Sequence, residues 1–156
     1  MPVTVLCTTL LIEKSPQALP LGAACIASAI KHNPSTAKIC EVSLNTFCFE
    51  DSDFPKDRAK AVIYIEEKLL KKIKNNNEAI ICFSCFVWNV EILEAVSKKL
   101  RKKGIVCIAG GPEITAHPDF YKGFDYTVSG EGEISVPSIV EKIIKQKTSN
   151  SDSIII

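Results

Sequence analysis

Residues able to do chemistry gather in three short stretches. They are Phe83-Ser84-Cys85-Phe86-Val87-Trp88-Asn89, Gly110-Gly111-Pro112-Glu113 and Gly130-Glu131-Gly132-Glu133. Cys82 and Cys85 have a Cys-x-x-Cys spacing. A redox dithiol needs that pair at the start of a helix, whereas Cys82 lies inside an apolar run that reads as a strand. No second pair and no well-placed histidine complete a zinc site. Trp88, the single tryptophan, reads either as a plug over the end of a sheet or as a flat surface for a ligand ring. The glycines either make turns or let ligand atoms lie against bare backbone. Glu131 and Glu133 suit a helix N-terminus, a gain of ~0.3–1 kcal/mol. Neither glycine stretch follows a first strand as a dinucleotide-binding Gly-x-Gly-x-x-Gly would, and no Walker-type Gly-Lys-Ser/Thr occurs. No Gly-x-Ser-x-Gly elbow supports a hydrolase. His32 stands at a helix end, whereas His117, before Pro118, stands near the second stretch but lacks an obvious partner.

Each stretch needs an element to hold it. Val3–Thr8 reads as a first strand, followed by a loop from Leu11 to Leu19 and a helix from Leu21 to Lys31 that Pro20 opens. Ala37–Leu44 reads as a second strand near an edge. Asp57–Lys74 is a helix with Val62, Ile65, Leu69 and Ile73 at helical spacing. Ala79–Ser84 is a continuous apolar run, the pattern of a parallel strand covered on both faces. Asn89 is placed to cap a third helix whose stripe is Leu93, Val96 and Leu100. Ile105–Ala109 and Tyr126–Ser129 are the fourth and fifth strands. A last helix carries Val136, Ile139, Val140 and Ile143. The alternation predicts an α/β domain of three layers, flavodoxin-like or Rossmann-like, with about five parallel strands and helices on both faces. Ligands of such sheets sit beyond the carboxyl ends of the strands, which is where the three stretches fall.

The composition sets outer limits. The 156 residues are 46% hydrophobic and fit one domain. Lys and Arg number 19 against 18 Asp and Glu, so no charge footprint points to nucleic acid or an anionic membrane. No run is long enough for a membrane span. Seven cysteines, mostly in apolar runs, read as buried free thiols in a reducing cytoplasm. Residues 1–148 form the domain. Residues 149–156, a polar link and then an apolar triplet, read as a linker toward a domain this chain does not contain.

Three groups of residues together resemble the N-terminal cobalamin (B12)-binding domain of cobalamin-dependent radical SAM enzymes. They are Pro20-Leu21-Gly22-Ala23-Ala24, then Phe83-Ser84-Cys85 with Asn89, then Gly110-Gly111-Pro112 with Asp125-Tyr126-Thr127-Val128-Ser129-Gly130-Glu131-Gly132-Glu133. The enzymes concerned include the anaerobic magnesium-protoporphyrin IX monomethyl ester oxidative cyclases and many methyltransferases. The resemblance implies a flavodoxin-like sheet with cobalamin over its carboxyl edge. It implies cofactor contacts from Leu21, Gly22, Ser84, Cys85, Trp88, Asn89, Gly110, Gly111, Pro112, Glu113, Ser129, Gly130 and Glu131. It also implies a partner, the enzyme's own C-terminal radical SAM domain, with a [4Fe-4S] cluster and S-adenosylmethionine. The Cys-x-x-x-Cys-x-x-Cys signature of that domain is absent here, so this chain alone has no catalytic residue for radical chemistry. The Asp-x-His-x-x-Gly whose histidine binds cobalt in methionine-synthase-like domains is absent too, as is usual in the radical SAM group. Many relatives place a histidine where this chain has Glu113. Two other readings stand beside this one: an α/β interaction or regulatory domain that has lost the cofactor, and a flavodoxin-like flavin-binding module.

Overall fold

The computed structural model describes residues 2–153. Five strands form one sheet: β1 (Val3–Leu11), β2 (Cys40–Cys48), β3 (Ala79–Ser84), β4 (Val106–Gly110) and β5 (Tyr126–Thr127). Their order is β2-β1-β3-β4-β5, and every pairing is parallel. The helices are α1 (Leu21–His32), α2 (Arg58–Leu70), α3 (Val90–Arg101), the short α4 (Pro112–Ala116) and α5 (Gly132–Ser153). This is the expected three-layer flavodoxin-like architecture. α1 packs with α5 and α2 packs with α3, one pair on each face.

Strand alternation divides the core. Leu6 and Leu10 of β1, with Ile81 and Phe83 of β3, join the α2–α3 layer. Val5 and Cys7, with Ile80, Cys82 and Ile108, join the α1–α5 layer. Successive side chains of a strand point to opposite faces, so the apolar run of β3 serves both layers.

Several boundaries differ from those the sequence predicts, each for a local reason. β2 begins at Cys40, not Ala37, because the preceding residues are taken up in turns. The Thr36 hydroxyl donates to the Ile30 carbonyl at 2.6 Å, and the Ile39 and Cys40 amides donate to the Thr36 carbonyl. β1 runs three residues further than Thr8, and β2 follows it to the pair Leu11–Cys48. α2 starts one residue later, with the Asp57 carboxylate accepting from the Lys60 amide. It stops early because the Lys72 and Ile73 amides bond back three residues, not four, a tightening that ends helices. β5 is two residues long, although the Val128 amide still donates to the Ala109 carbonyl at 2.8 Å. α5 continues to Ser153 through the segment expected to be a linker; residues 154–156 of that segment lie outside the described residues.

The turn after β4 is under the tightest steric constraint. Gly111 has φ +103° and ψ 178°, a region essentially reserved for glycine. A Cβ there would sit 2.6 Å from the Cys85 carbonyl oxygen and 2.8 Å from its nitrogen. Gly130 also has positive φ, +79°, but a Cβ there meets nothing within 4 Å. Gly111→Ala should therefore lose roughly 2–5 kcal/mol from strain and overpacking together, and Gly130→Ala only about 1–2 kcal/mol. Urea unfolding of both variants checks this; equal losses would show that the contact with Cys85 relaxes freely.

Candidate functional site

The strand order reverses between β1 and β3, because chain connections leave β1 toward β2 on one side and β3 toward β4 on the other. Such a switch point opens a crevice at the carboxyl edge of the sheet. Here a cavity of about 140 Å³ opens on the α1–α5 side of that edge. Its rim carries Gly22 from the start of α1, Ser84 from the end of β3, Gly110 and Gly111 after β4, and Gly130 to Glu133 at the start of α5. Its inner end is Cys7, Cys82 and Ile108, with Ala23, Ile26, Val136 and, level with Gly110, Val128 as walls. The register pairs Cys7 with Cys82 and Cys82 with Ile108, one row across three strands.

Small residues create the opening. A Cβ on Gly22 would stand 3.2 Å from the Ser84 hydroxyl, and one on Gly132 would stand 2.8 Å from the Ile26 Cδ1. α1 and α5 thus start close together at the mouth, and both present N-terminal backbone N–H groups there. Such groups bind anions. No acidic residue occupies the first turn of α1, so that end is free to do so.

Of the expected contact residues, the structure brings Gly22, Ser84, Gly110, Gly111, Gly130 and Glu131 together at this crevice. The others are placed elsewhere. Cys85 points to the opposite layer and is fully buried. Trp88 stacks on Phe86 at 4.5 Å and donates from Nε1 to the Leu10 carbonyl at 3.1 Å. It also lines a shallow groove with Phe49 and Arg58, on the α2 side. Glu113 accepts from the Tyr121 hydroxyl at 2.7 Å and lies 3.8 Å from His117 Nε2, outside the crevice lining. Leu21, Pro112 and Ser129 are exposed around the same edge without lining it. His32 bonds to the Ser28 carbonyl at the far end of α1.

Asn89 corrects one expectation. It occupies the position before α3, yet its side chain makes no capping bond to the helix. It is fully buried. Its Oδ1 accepts from the Phe86 amide at 2.8 Å, and its Nδ2 donates to the carbonyls of Leu10 at 3.0 Å and Ser84 at 3.4 Å. It therefore ties the carboxyl ends of β1 and β3 to the loop between β3 and α3. Asp125 has a comparable role beside β4, accepting from the Cys107 amide at 2.8 Å and pairing with Arg101.

The residues missed by the sequence reading are those of the inner end. Their signal was present: counting back two from Ser84 and from Gly110 along their strands reaches Cys82 and Ile108 on the same face. All seven cysteines are free thiols. Burial pushes the Cys107 thiol up to about 12 and Cys40 to about 11. A hydrogen bond with Cys7, then burial, raises Cys82, and burial raises Cys85. These thiols are protonated at neutral pH and are poor nucleophiles.

The family described as the B12 binding domain matches residues 9–140. Among solved structures, the chain is similar to the monomethylamine corrinoid protein of Methanosarcina barkeri, with a TM-score of 0.55 and 10% identity. The similarity covers 90% of this chain and 57% of that one, a likeness of fold. No curated protein matches the chain in sequence. Among the described residues, no helix is long and apolar enough to cross a membrane.

Two outcomes follow for the residues around the crevice. Asn89→Ala leaves the Phe86 amide without its partner and should cost roughly 1–3 kcal/mol, read as a lower urea midpoint; an unchanged midpoint would show that water replaces the amide. At pH 8, iodoacetamide should label the partly exposed Cys25 while Cys82, Cys85 and Cys107 stay unmodified until the chain unfolds. Because the folded thiols hold their protons, their contribution to stability is complete below the unfolded-thiol pKa of about 8.5. It is then lost as pH rises toward the folded values. Rapid labelling of Cys107 in the native protein would contradict this.

Proposed function

We propose a function from one premise: the chain belongs to the B12 binding domain family. It holds cobalamin at the carboxyl edge of the sheet, as the N-terminal cobalamin-binding domain of a B12-dependent radical SAM enzyme of the oxidative cyclase or methyltransferase type. The observation that carries the cobalamin reading is the glycine-rimmed crevice at the β1–β3 switch point.

The residues fit the group. The nucleotide tail of cobalamin combines an aromatic base, a ribose and one phosphodiester. An apolar cavity of about 140 Å³ approaches the size of an apolar cavity of about 150 Å³ that takes up benzene, and its open mouth accommodates the rest of a fused ring. Gly22, Gly110 and Gly130 keep the entrance clear. N–H groups at the start of α1 suit the phosphate. Glu131 and Glu133 offer acceptors for ribose hydroxyls and for the amide side chains of the corrin. When bound, cobalamin supplies the alkyl-transfer or one-electron cobalt chemistry, and the protein supplies position.

Three features support the radical SAM context. The glycine-proline and Gly-Glu-Gly-Glu stretches that resemble those enzymes meet at one crevice. The loop after β1, residues 12–20, holds no histidine. Exposed apolar side chains at the same edge, Leu21 at 67%, Val87 at 74% and Trp88 at 38%, suit a covering domain. A flavin is less well served: the loop after β1 contains no glycine and no residue with positive φ, so it offers no phosphate nest.

Absorption titrations with hydroxocobalamin and with FMN test this reading. Cobalamin should bind and FMN should not. Gly22→Val should keep the parent's melting temperature within a few degrees and weaken cobalamin binding at least about tenfold, because its side chain enters the mouth beside Ser84. Binding of FMN alone would overturn the proposal, and a folded Gly22→Val variant with the parent's affinity would remove the crevice from the site.

A further inference from the structure

We propose that the inner end of the crevice selects the base of its ligand's nucleotide tail, taking cobamides with an apolar base such as dimethylbenzimidazole or a phenol and discriminating against those with a purine. The inference rests on the cobalamin reading above and deepens it. It follows from where the polar atoms are. The carboxylates of Glu131 and Glu133 and the Ser84 hydroxyl stand at the rim. Cys82 and Ile108 lie two residues deeper along their strands than Ser84 and Gly110, about 7 Å by strand rise.

At that depth, among the described residues, the backbone is committed and the side chains are apolar or weak partners. The backbones of β1, β3 and β4 are paired with one another. The Val128 amide is spent on the Ala109 carbonyl, and the Gly110 carbonyl accepts from the Cys85 amide at 2.8 Å. The Thr9 hydroxyl, on the same side of β1, donates to the Ser84 carbonyl at 3.0 Å. Cys7 and Cys82 are register partners on adjacent strands, and a thiol is a weak hydrogen-bonding partner. Ile108 in this row, and Val128 on the wall above it, offer only apolar surface. Below this row the layer continues with the buried apolar side chains of Val5, Ile80 and Val140.

A benzimidazole carrying two methyl groups meets apolar walls there and has a single ring nitrogen left to desolvate, far fewer polar atoms than a purine. A phenolic base fits for the same reason. Adenine brings an amino group and ring nitrogens that must shed water and find no replacement. An apolar pocket discriminates against such a polar addition by about ten- to a hundredfold. Cys7, Cys82, Ile108 and Val128 are then residues that determine specificity.

The purified chain is titrated by absorbance with cobalamin, with the cobamide bearing adenine, with the cobamide bearing p-cresol, and with cobinamide, which has no nucleotide tail. The expected order is cobalamin and the p-cresol form at least tenfold tighter than the adenine form, with cobinamide weaker than cobalamin. Val128→Thr, close to the parent in shape, places a hydroxyl on the apolar wall of the crevice above Ile108 and should narrow the ratio of cobalamin to adenine-form affinity. The parent titrations decide the matter if that variant folds poorly. Equal affinity for the cobalamin and adenine forms would overturn the inference and leave the cobalamin reading standing, as would cobinamide binding as tightly as cobalamin. Failure of all four to bind would overturn both.

Discussion

One buried amide holds the functional edge together. Asn89 reaches the carbonyls that end β1 and β3 and the amide of Phe86 in the loop beyond. At the switch point the two strands send their chains away in different directions, so their terminal carbonyls lose the ladder partners that interior residues have. An unpaired buried carbonyl is costly. Asn89 supplies donors to both and an acceptor in return, a combination available to asparagine or glutamine but to no charged side chain. Trp88 adds a second donor to the Leu10 carbonyl, and Thr9 a second to that of Ser84. The loop that follows β3 is thereby held toward the α2–α3 layer, which leaves the α1–α5 side of the same edge open.

A second constraint works from the neighbouring strand. Gly111 brings the chain after β4 against the Cys85 backbone, and the Glu113 amide then reaches the Cys85 carbonyl at 3.3 Å. With the bond from the Cys85 amide to Gly110, the ends of β3 and β4 are clamped to each other. The crevice is therefore bounded on its strand side by backbone already committed to other partners. That commitment makes the inner end dry in character and leaves the glycines of the rim to set its width.

The architecture was legible in the sequence because it depends on patterns that span many residues. The run Ala79–Ser84 coincides with β3, and the stripe of Leu93, Val96 and Leu100 lies buried on α3. Boundaries that depend on one side chain were less legible. Thr36 delays β2 with a hydroxyl that reaches Ile30, a bond no periodicity encodes. At the site, glycine and serine near strand ends announced the rim. The motif Phe83-Ser84-Cys85 reads as a unit, yet alternation sends only Ser84 to the rim and turns Cys85 away. Asn89 looked like a helix cap because caps are local, while its partners lie as far off as residue 10. Trp88 stacks on Phe86 and donates to the Leu10 carbonyl, with part of its ring still exposed.

The strand order also bears on how the chain comes together during synthesis. β1 is made first, but its partners are β2, ending at Cys48, and β3, ending at Ser84. Until residue 84 has left the ribosome, one edge of an apolar nine-residue strand has no neighbour to bond with. Parallel pairing across such separations is slow, and unpaired strand edges invite association with other chains. The same central placement of β1 that creates a binding edge in the finished domain makes the nascent chain dependent on a segment nearly half its length away.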